Sequence, residues 1–176
     1  SMFTVNGGNL QMAGGSVTDS DGTAIGSGSL TVDGSGDGVT GSIVEVVSGN
    51  YGLTDDAVLT GNKTTGNAGA ISNTADGNVY LLGGTITGNS ATTGGAIYSE
   101  GAVSIRGTVS VTGNTVINST PETASNVVLD KNGIINVNGA VTGSTIGLAV
   151  QEAAAGRTVV KLADGVTDVT LSDVIS

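Results

Sequence analysis

The triplet Thr-Gly-Asn returns three times, as Thr60-Gly61-Asn62, Thr87-Gly88-Asn89 and Thr112-Gly113-Asn114, with weaker copies at 18–20, 40–42 and 142–144. Successive threonines of this series are 22, 20, 27, 25 and 30 residues apart. A second mark precedes most copies: two apolar residues flank one polar residue, and a Gly follows two positions on. It reads Leu10-Gln11-Met12, Leu30-Thr31-Val32, Val79-Tyr80-Leu81, Val103-Ser104-Ile105 and Ile135-Asn136-Val137. A third mark is Gly69-Ala70-Ile71 against Gly95-Ala96-Ile97, and residues 9–20 align with 78–89 without a gap. Repetition at this period constrains the fold more than any other feature of the chain.

Within each unit the apolar residues alternate with period two, which puts one side of a short strand inward. Gly, Asn, Ser and Thr punctuate the strands. Only Ala153-Ala154-Ala155 hints at a helical turn, and Gly156 stops it. A unit of 20–30 residues with such strands cannot bury its own apolar side, but stacking its neighbours does. The expectation is an all-β parallel β-helix with one repeat per coil and residues 3–176 forming one domain. Val79 and Val103, Leu81 and Ile105, and Ile86 and Val111 then line the interior. Asn62, Asn89 and Asn114 stack as a ladder at a corner, where Gly supplies the positive φ of a tight bend. A β-sandwich competes for a chain of this composition, but it does not require a fixed side-chain repeat. The last segment, 156–176, is expected to close the C-terminal end or lead onward. The insertion 118–126, with Pro121 at its centre, reads as a loop.

Composition narrows function. With 31 Gly, 1 Phe, 3 Tyr and no Trp among 176 residues, the core must be aliphatic. The net charge of −10, with only Lys63, Arg106, Lys131, Arg157 and Lys161 positive, leaves nothing to neutralise phosphates, so nucleic acid is not an expected partner. The absence of Cys and His removes disulfides, Cys/His zinc sites and thiolate or imidazole catalysis. No apolar run is long enough to insert this segment in a membrane as a helix. Ser1-Met2 reads as a cloning scar before Phe3, so the chain is expected to be a piece of a larger extracellular or cell-surface protein.

The segment Gly94-Gly95-Ala96-Ile97, flanked by Ile86-x-x-Asn89 and Val111-x-x-Asn114, resembles the polymorphic outer-membrane protein repeat with its GGA[ILV] and FxxN motifs. Leu59, Ile86 and Val111 stand where that family has Phe, and the second GGAI copy reads Ala68-Gly69-Ala70-Ile71. The passage 59–150 is also similar to repeat-rich surface proteins of gut bacteria, and residues 126–150 resemble their closing coil; residues 9–58 match loosely. The resemblance implies a right-handed parallel β-helix and an adhesin-like or autotransporter-passenger-like role. It carries no catalytic residues to transfer.

Candidate sites are few. Glycoside cleavage needs two carboxylates about 5–9.5 Å apart, and Asp55-Asp56 is the best pair in the sequence, yet strand neighbours point to opposite sides. No cofactor is expected, with calcium the one candidate: Asp33-Gly34-Ser35-Gly36-Asp37-Gly38 has oxygen-rich spacing, but Val44 stands where an EF-hand has Glu. The competing reading is a solvated Gly-rich turn. Tyr80 and Tyr98 are phased outward and are candidate sugar-stacking residues. Thr85 and Ser110 lie in too irregular a repeat for an ice-binding lattice. The expected function is a non-catalytic structural or adhesin-like segment of a bacterial cell-surface or secreted protein, with a host or environmental glycan or protein as partner. The alternatives are a carbohydrate-binding module and, behind it, a polysaccharide lyase or glycoside hydrolase.

Overall fold

The computed structural model describes residues 1–18, 21, 24–36, 40–117, 123–141, 143–151 and 155–166. The chain is all-β, with no helix among the described residues; the hint at 153–155 falls largely outside them. Most of its strands form three stacks, visited in the same order on every pass; a short separate parallel pair joins Ser90–Ala91 to Thr115–Val116. The first stack holds 3–5, 44–46, Ile71–Asn73, Ile97–Ser99, Val127–Leu129 and Leu148–Val150. The second holds 9–13, 49–53, Gly77–Leu81, Ala102–Ile105, Ile134–Val137 and Val160–Leu162. The third holds Thr31–Asp33, Val58–Thr60, Gly84–Thr87, Val109–Thr112 and Thr145–Ile146. The long strands Phe3–Ala13 and Val44–Thr54 run through the first two stacks without a break and join them into one ten-stranded sheet.

Pairing within all three stacks is parallel, as a solenoid requires and a sandwich does not. The antiparallel pairs among the described residues are Gly15–Thr18 with Ala24–Gly28 and Thr115–Val116 with Thr123–Ala124. The register follows the alternation in the sequence. Val103 pairs with Val79, Ile105 with Leu81, and Val111 with Ile86, all essentially inaccessible to solvent. Leu53, Leu81, Ile105 and Val137 form one inward column; Leu59, Ile86, Val111 and Ile146 form another. Each such side chain contributes about 1.5–3 kcal/mol by leaving water.

Four details differ from the sequence reading. Leu30-Thr31-Val32 does not share a stack with Val79-Tyr80-Leu81: Val32 sits under Leu59 in the third stack. The rung between 10–12 and 79–81 is instead Tyr51-Gly52-Leu53, where a glycine replaces the outward polar residue. The triplet Thr40-Gly41-Ser42 precedes the first stack, whereas Asp33-Gly34-Ser35 is the segment level with Thr60-Gly61-Asn62. Thr142-Gly143-Ser144 likewise precedes the strand Thr145–Ile146, so it is no counterpart of Thr112-Gly113-Asn114, and Thr142 lies outside the described residues. Thr18 enters the antiparallel hairpin, with Asp19 and Ser20 outside the described set.

Coil length also exceeds the expected range twice: Phe3 and Val44 are 41 residues apart, a span that holds the hairpin of Gly15–Thr18 with Ala24–Gly28, and a later coil is long as well. Val44, Ile71, Ile97 and Val127 succeed one another at 27, 26 and 30 residues, but Ala102 and Ile134 are 32 apart, and Ser110 and Thr145 are 35 apart. In the later coil the extra chain is spent where Thr123–Ala124 doubles back on Thr115–Val116; residues 118–122, including Pro121, lie outside the described set. In the segment 156–176, Val160–Leu162 adds a sixth rung to the second stack, and residues 167–176 are outside the description.

Candidate functional site

The repeated motifs meet at one corner between the third and first stacks. Gly61, Gly88 and Gly113 have φ of 76°, 66° and 67°, the left-handed bend that a Cβ would disfavour. The bend swings each following Asn inward, and Asn62, Asn89 and Asn114 are buried one above another. Asn89 Oδ1 accepts from the Asn62 backbone N–H at 3.1 Å. Asn114 Oδ1 accepts from both the backbone and side-chain N–H of Asn89 at 3.0 Å. Asn126 continues the column: its Oδ1 takes the Asn114 backbone N–H at 3.2 Å and Nδ2–H at 3.0 Å. Asn62 Nδ2 also reaches across the corner to the Gly69 carbonyl at 2.6 Å. The Gly-Gly-Ala-Ile motif supplies the other wall, for a Cβ on Gly95 would lie 2.4 Å from the Ser125 carbonyl and 2.5 Å from the Thr115 nitrogen. Only glycine permits that approach of backbones.

The column ends below Asn62. In the next rung down, the Ser35 N–H turns to Asp33 Oδ1 at 2.8 Å, and Asn62 Oδ1 is buried without a partner. These Ser35 hydrogen bonds hold the Asp33 carboxyl below the usual carboxylate range. Asp33 is thus engaged as a turn residue on an exposed corner; Asp37 lies outside the described residues. Among those residues no three acidic side chains group to hold a cation.

The other candidates are dispersed. Asp55 and Asp56 are exposed in the turn after Val44–Thr54, and Asp55 has φ 51°, the one positive value of a non-glycine among the described residues. Its Oδ2 accepts from Thr54 Oγ1 at 3.2 Å. Tyr98 is half-buried on the outer side of the first stack, in the column Glu45, Ser72, Tyr98, Val128. Tyr80 is half-buried on the outer side of the second stack, in the column Gln11, Gly52, Tyr80, Ser104, Asn136. The fold therefore places the two tyrosines in different stacks of the ten-stranded sheet, both on its outer side.

Around Tyr80 lies a groove of about 340 Å³, lined by Asn9, Leu10, Gln11, Asn50, Tyr51, Gly52, Thr54, Tyr80 and Leu82. Gly52 makes it: with no side chain between Gln11 and Tyr80, the outer surface dips. Beside the dip runs a second asparagine ladder, exposed. Asn50 Nδ2 donates to Asn9 Oδ1 at 2.7 Å, and Asn78 Nδ2 donates to Asn50 Oδ1 at 3.3 Å. Asn50, Asn9, Asn78 and Gly52 escaped the sequence reading, although Asn stands directly before Leu10-Gln11-Met12, Tyr51-Gly52-Leu53 and Val79-Tyr80-Leu81 alike. Tyr51 itself points inward, fully buried; burial pushes its hydroxyl well above the usual tyrosine range, and that hydroxyl meets Met12 Sδ at 3.4 Å. Arg157 was also overlooked. Its guanidinium donates to the carbonyls of Gln151 at 2.9 Å, Gly133 at 2.8 Å and Asp130, tying the C-terminal rungs together.

No protein-family model, curated protein or solved structure matches this chain.

Proposed function

We propose that the chain is a right-handed parallel β-helix serving as a non-catalytic structural or adhesin-like segment of a bacterial cell-surface or secreted protein. The observation that carries this reading is the parallel pairing of three stacks with one buried asparagine column at the corner between the third and the first. Stacked coils transmit load along the axis through backbone ladders and a dry aliphatic interior, so such a segment projects what is attached to it. The residues that resemble the polymorphic outer-membrane protein repeat are the ones that build the corner, which supports the family reading. Chemistry is disfavoured by the same geometry: Asp55 and Asp56 sit exposed in a turn, and no carboxylate, lysine or arginine is among the buried side chains of the described residues.

Antibodies raised against the purified chain test this directly on intact cells of its source. The reading expects labelling before permeabilisation, or antigen in the medium, and no cleavage products from a polysaccharide panel. Labelling only after permeabilisation, or turnover lost on Asp55→Asn or Asp56→Asn, overturns it.

A further inference from the structure

We propose that the groove over Gly52 binds a neutral glycan, with a pyranose ring seated against Tyr80 and its hydroxyls held by the outer asparagine ladder. This goes beyond the structural role and does not depend on cell-surface placement.

Three independent features point to that ligand class. The first is shape. The groove volume of about 340 Å³ is near the lower end of what small-molecule sites occupy, about 300–1,000 Å³. It exists because one outward position in a column of larger side chains is glycine. A Cβ there would meet only Gln11 Cγ, at 3.7 Å, and Gly52 is not among the glycines with positive φ. Neither close packing nor backbone conformation requires glycine at this position, unlike Gly95.

The second is hydrogen-bonding capacity. Asn50 uses one amide hydrogen and one carbonyl lone pair within the ladder, which leaves it a second of each. Among the described residues, Asn9 Nδ2 and Asn78 Oδ1 have no partner. Adjacent amides fix one another's orientation, so donors and acceptors alternate along the strand-to-strand axis before any ligand arrives. Preorganised amides of this kind suit paired vicinal hydroxyls, which both donate and accept. The half-buried Tyr80 ring supplies the apolar surface that the C–H face of a pyranose needs.

The third is charge. No lining side chain is ionised at neutral pH, in a chain of net charge −10, and Asp55 stands at the groove's edge on Thr54. An anionic sugar is repelled there by the general field and by that carboxylate. A neutral one is not.

The test is titration of the whole chain with neutral gluco-, galacto- and manno-oligosaccharides and, in parallel, with sialyllactose and oligogalacturonate. Binding is read by calorimetry and by shifts of the Asn50 and Asn78 side-chain amide signals. The expected result is saturable binding of at least one neutral series, weakened at least about tenfold by Tyr80→Ala and by Gly52→Leu. Gly52→Leu fills the groove where there is room for it, and an unchanged melting temperature shows the variant folded. Tyr98→Ala, in the first stack and not among the residues that line the groove, leaves affinity within about twofold. Absence of binding to all neutral series, binding of the acidic sugars only, or affinity that survives both groove variants overturns the proposal. None of these outcomes bears on the antibody test of the structural role.

Discussion

Replacing Asn89 by Ala removes the middle of the buried column. The Asn62 N–H then loses its acceptor, at 3.1 Å, in a place water does not reach. An orphaned buried donor costs about 1–3 kcal/mol. The carbonyls of Leu59 and Thr87, now 3.1 and 3.0 Å from Asn89 Nδ2, lose a donor each, at about 1 kcal/mol apiece. The total is about 3–5 kcal/mol, a large share of the roughly 5–15 kcal/mol that holds a typical domain. With a urea slope of about 2 kcal/mol/M, the unfolding midpoint falls by roughly 1.5–2.5 M. Asn78→Ala truncates the same residue type on the exposed ladder, where water replaces the lost partner, and costs less than about 0.5 kcal/mol. Equilibrium urea unfolding of the two variants beside the parent provides the comparison. Equal midpoints for Asn89→Ala and Asn78→Ala would refute the claim that the buried column, and not asparagine stacking in general, holds the coils in register.

Further expectations follow from single residues. Tyr51 keeps its proton in the folded chain above pH 10, where an unfolded tyrosine ionises, so its contribution to stability is complete below about pH 10 and declines as pH rises beyond it. Melting temperatures measured from pH 8 to 11 should fall less steeply for Tyr51→Phe than for the parent; parallel curves would discount Tyr51. The double variant Asp33→Thr/Ser35→Asn frees the residue-35 N–H to reach Asn62 Oδ1 and should raise stability by about 1 kcal/mol, read as a higher urea midpoint. Arg157→Ala removes three carbonyl contacts at a partly exposed site and should cost about 1–2 kcal/mol. Arg157→Lys should not restore it, because an ammonium lacks the planar fork. Cutting the chain after Gly156 removes Arg157 and the sixth rung together, and light scattering should then report aggregation through the uncovered edge.

The interior was legible because its signal is dense. Val79, Leu81 and Ile86 and their counterparts recur with period two at a nearly constant offset, and aliphatics fill both columns. The asparagine corner was legible for a similar reason: Thr-Gly-Asn names the bend and the residue that the bend turns inward. What stayed hidden breaks the pattern while keeping the geometry. Tyr51-Gly52-Leu53 lacks the polar centre of its relatives, so its rung, its inward tyrosine and the groove it opens were all overlooked. Asn126 joins the column only 12 residues after Asn114, because the chain doubles back between them. Arg157 acts on carbonyls 24 and 27 residues behind it, a contact with no local signature.

Engineered disulfides test the one-repeat-per-coil register most directly, since the chain has no cysteine of its own. Thr85 pairs with Ser110 in the third stack, and Ser110 pairs with Thr145 in the next rung. Neighbouring strands lie about 4.8 Å apart, inside the roughly 4.4–6.8 Å span that a disulfide bridges. Mild oxidation of Thr85→Cys/Ser110→Cys should therefore give an intramolecular bond in nearly every molecule. Thr85→Cys/Thr145→Cys, two rungs or about 9.6 Å apart, should stay reduced. Failure of the first pair to close, or equal closure of both, would contradict the stacked-coil account.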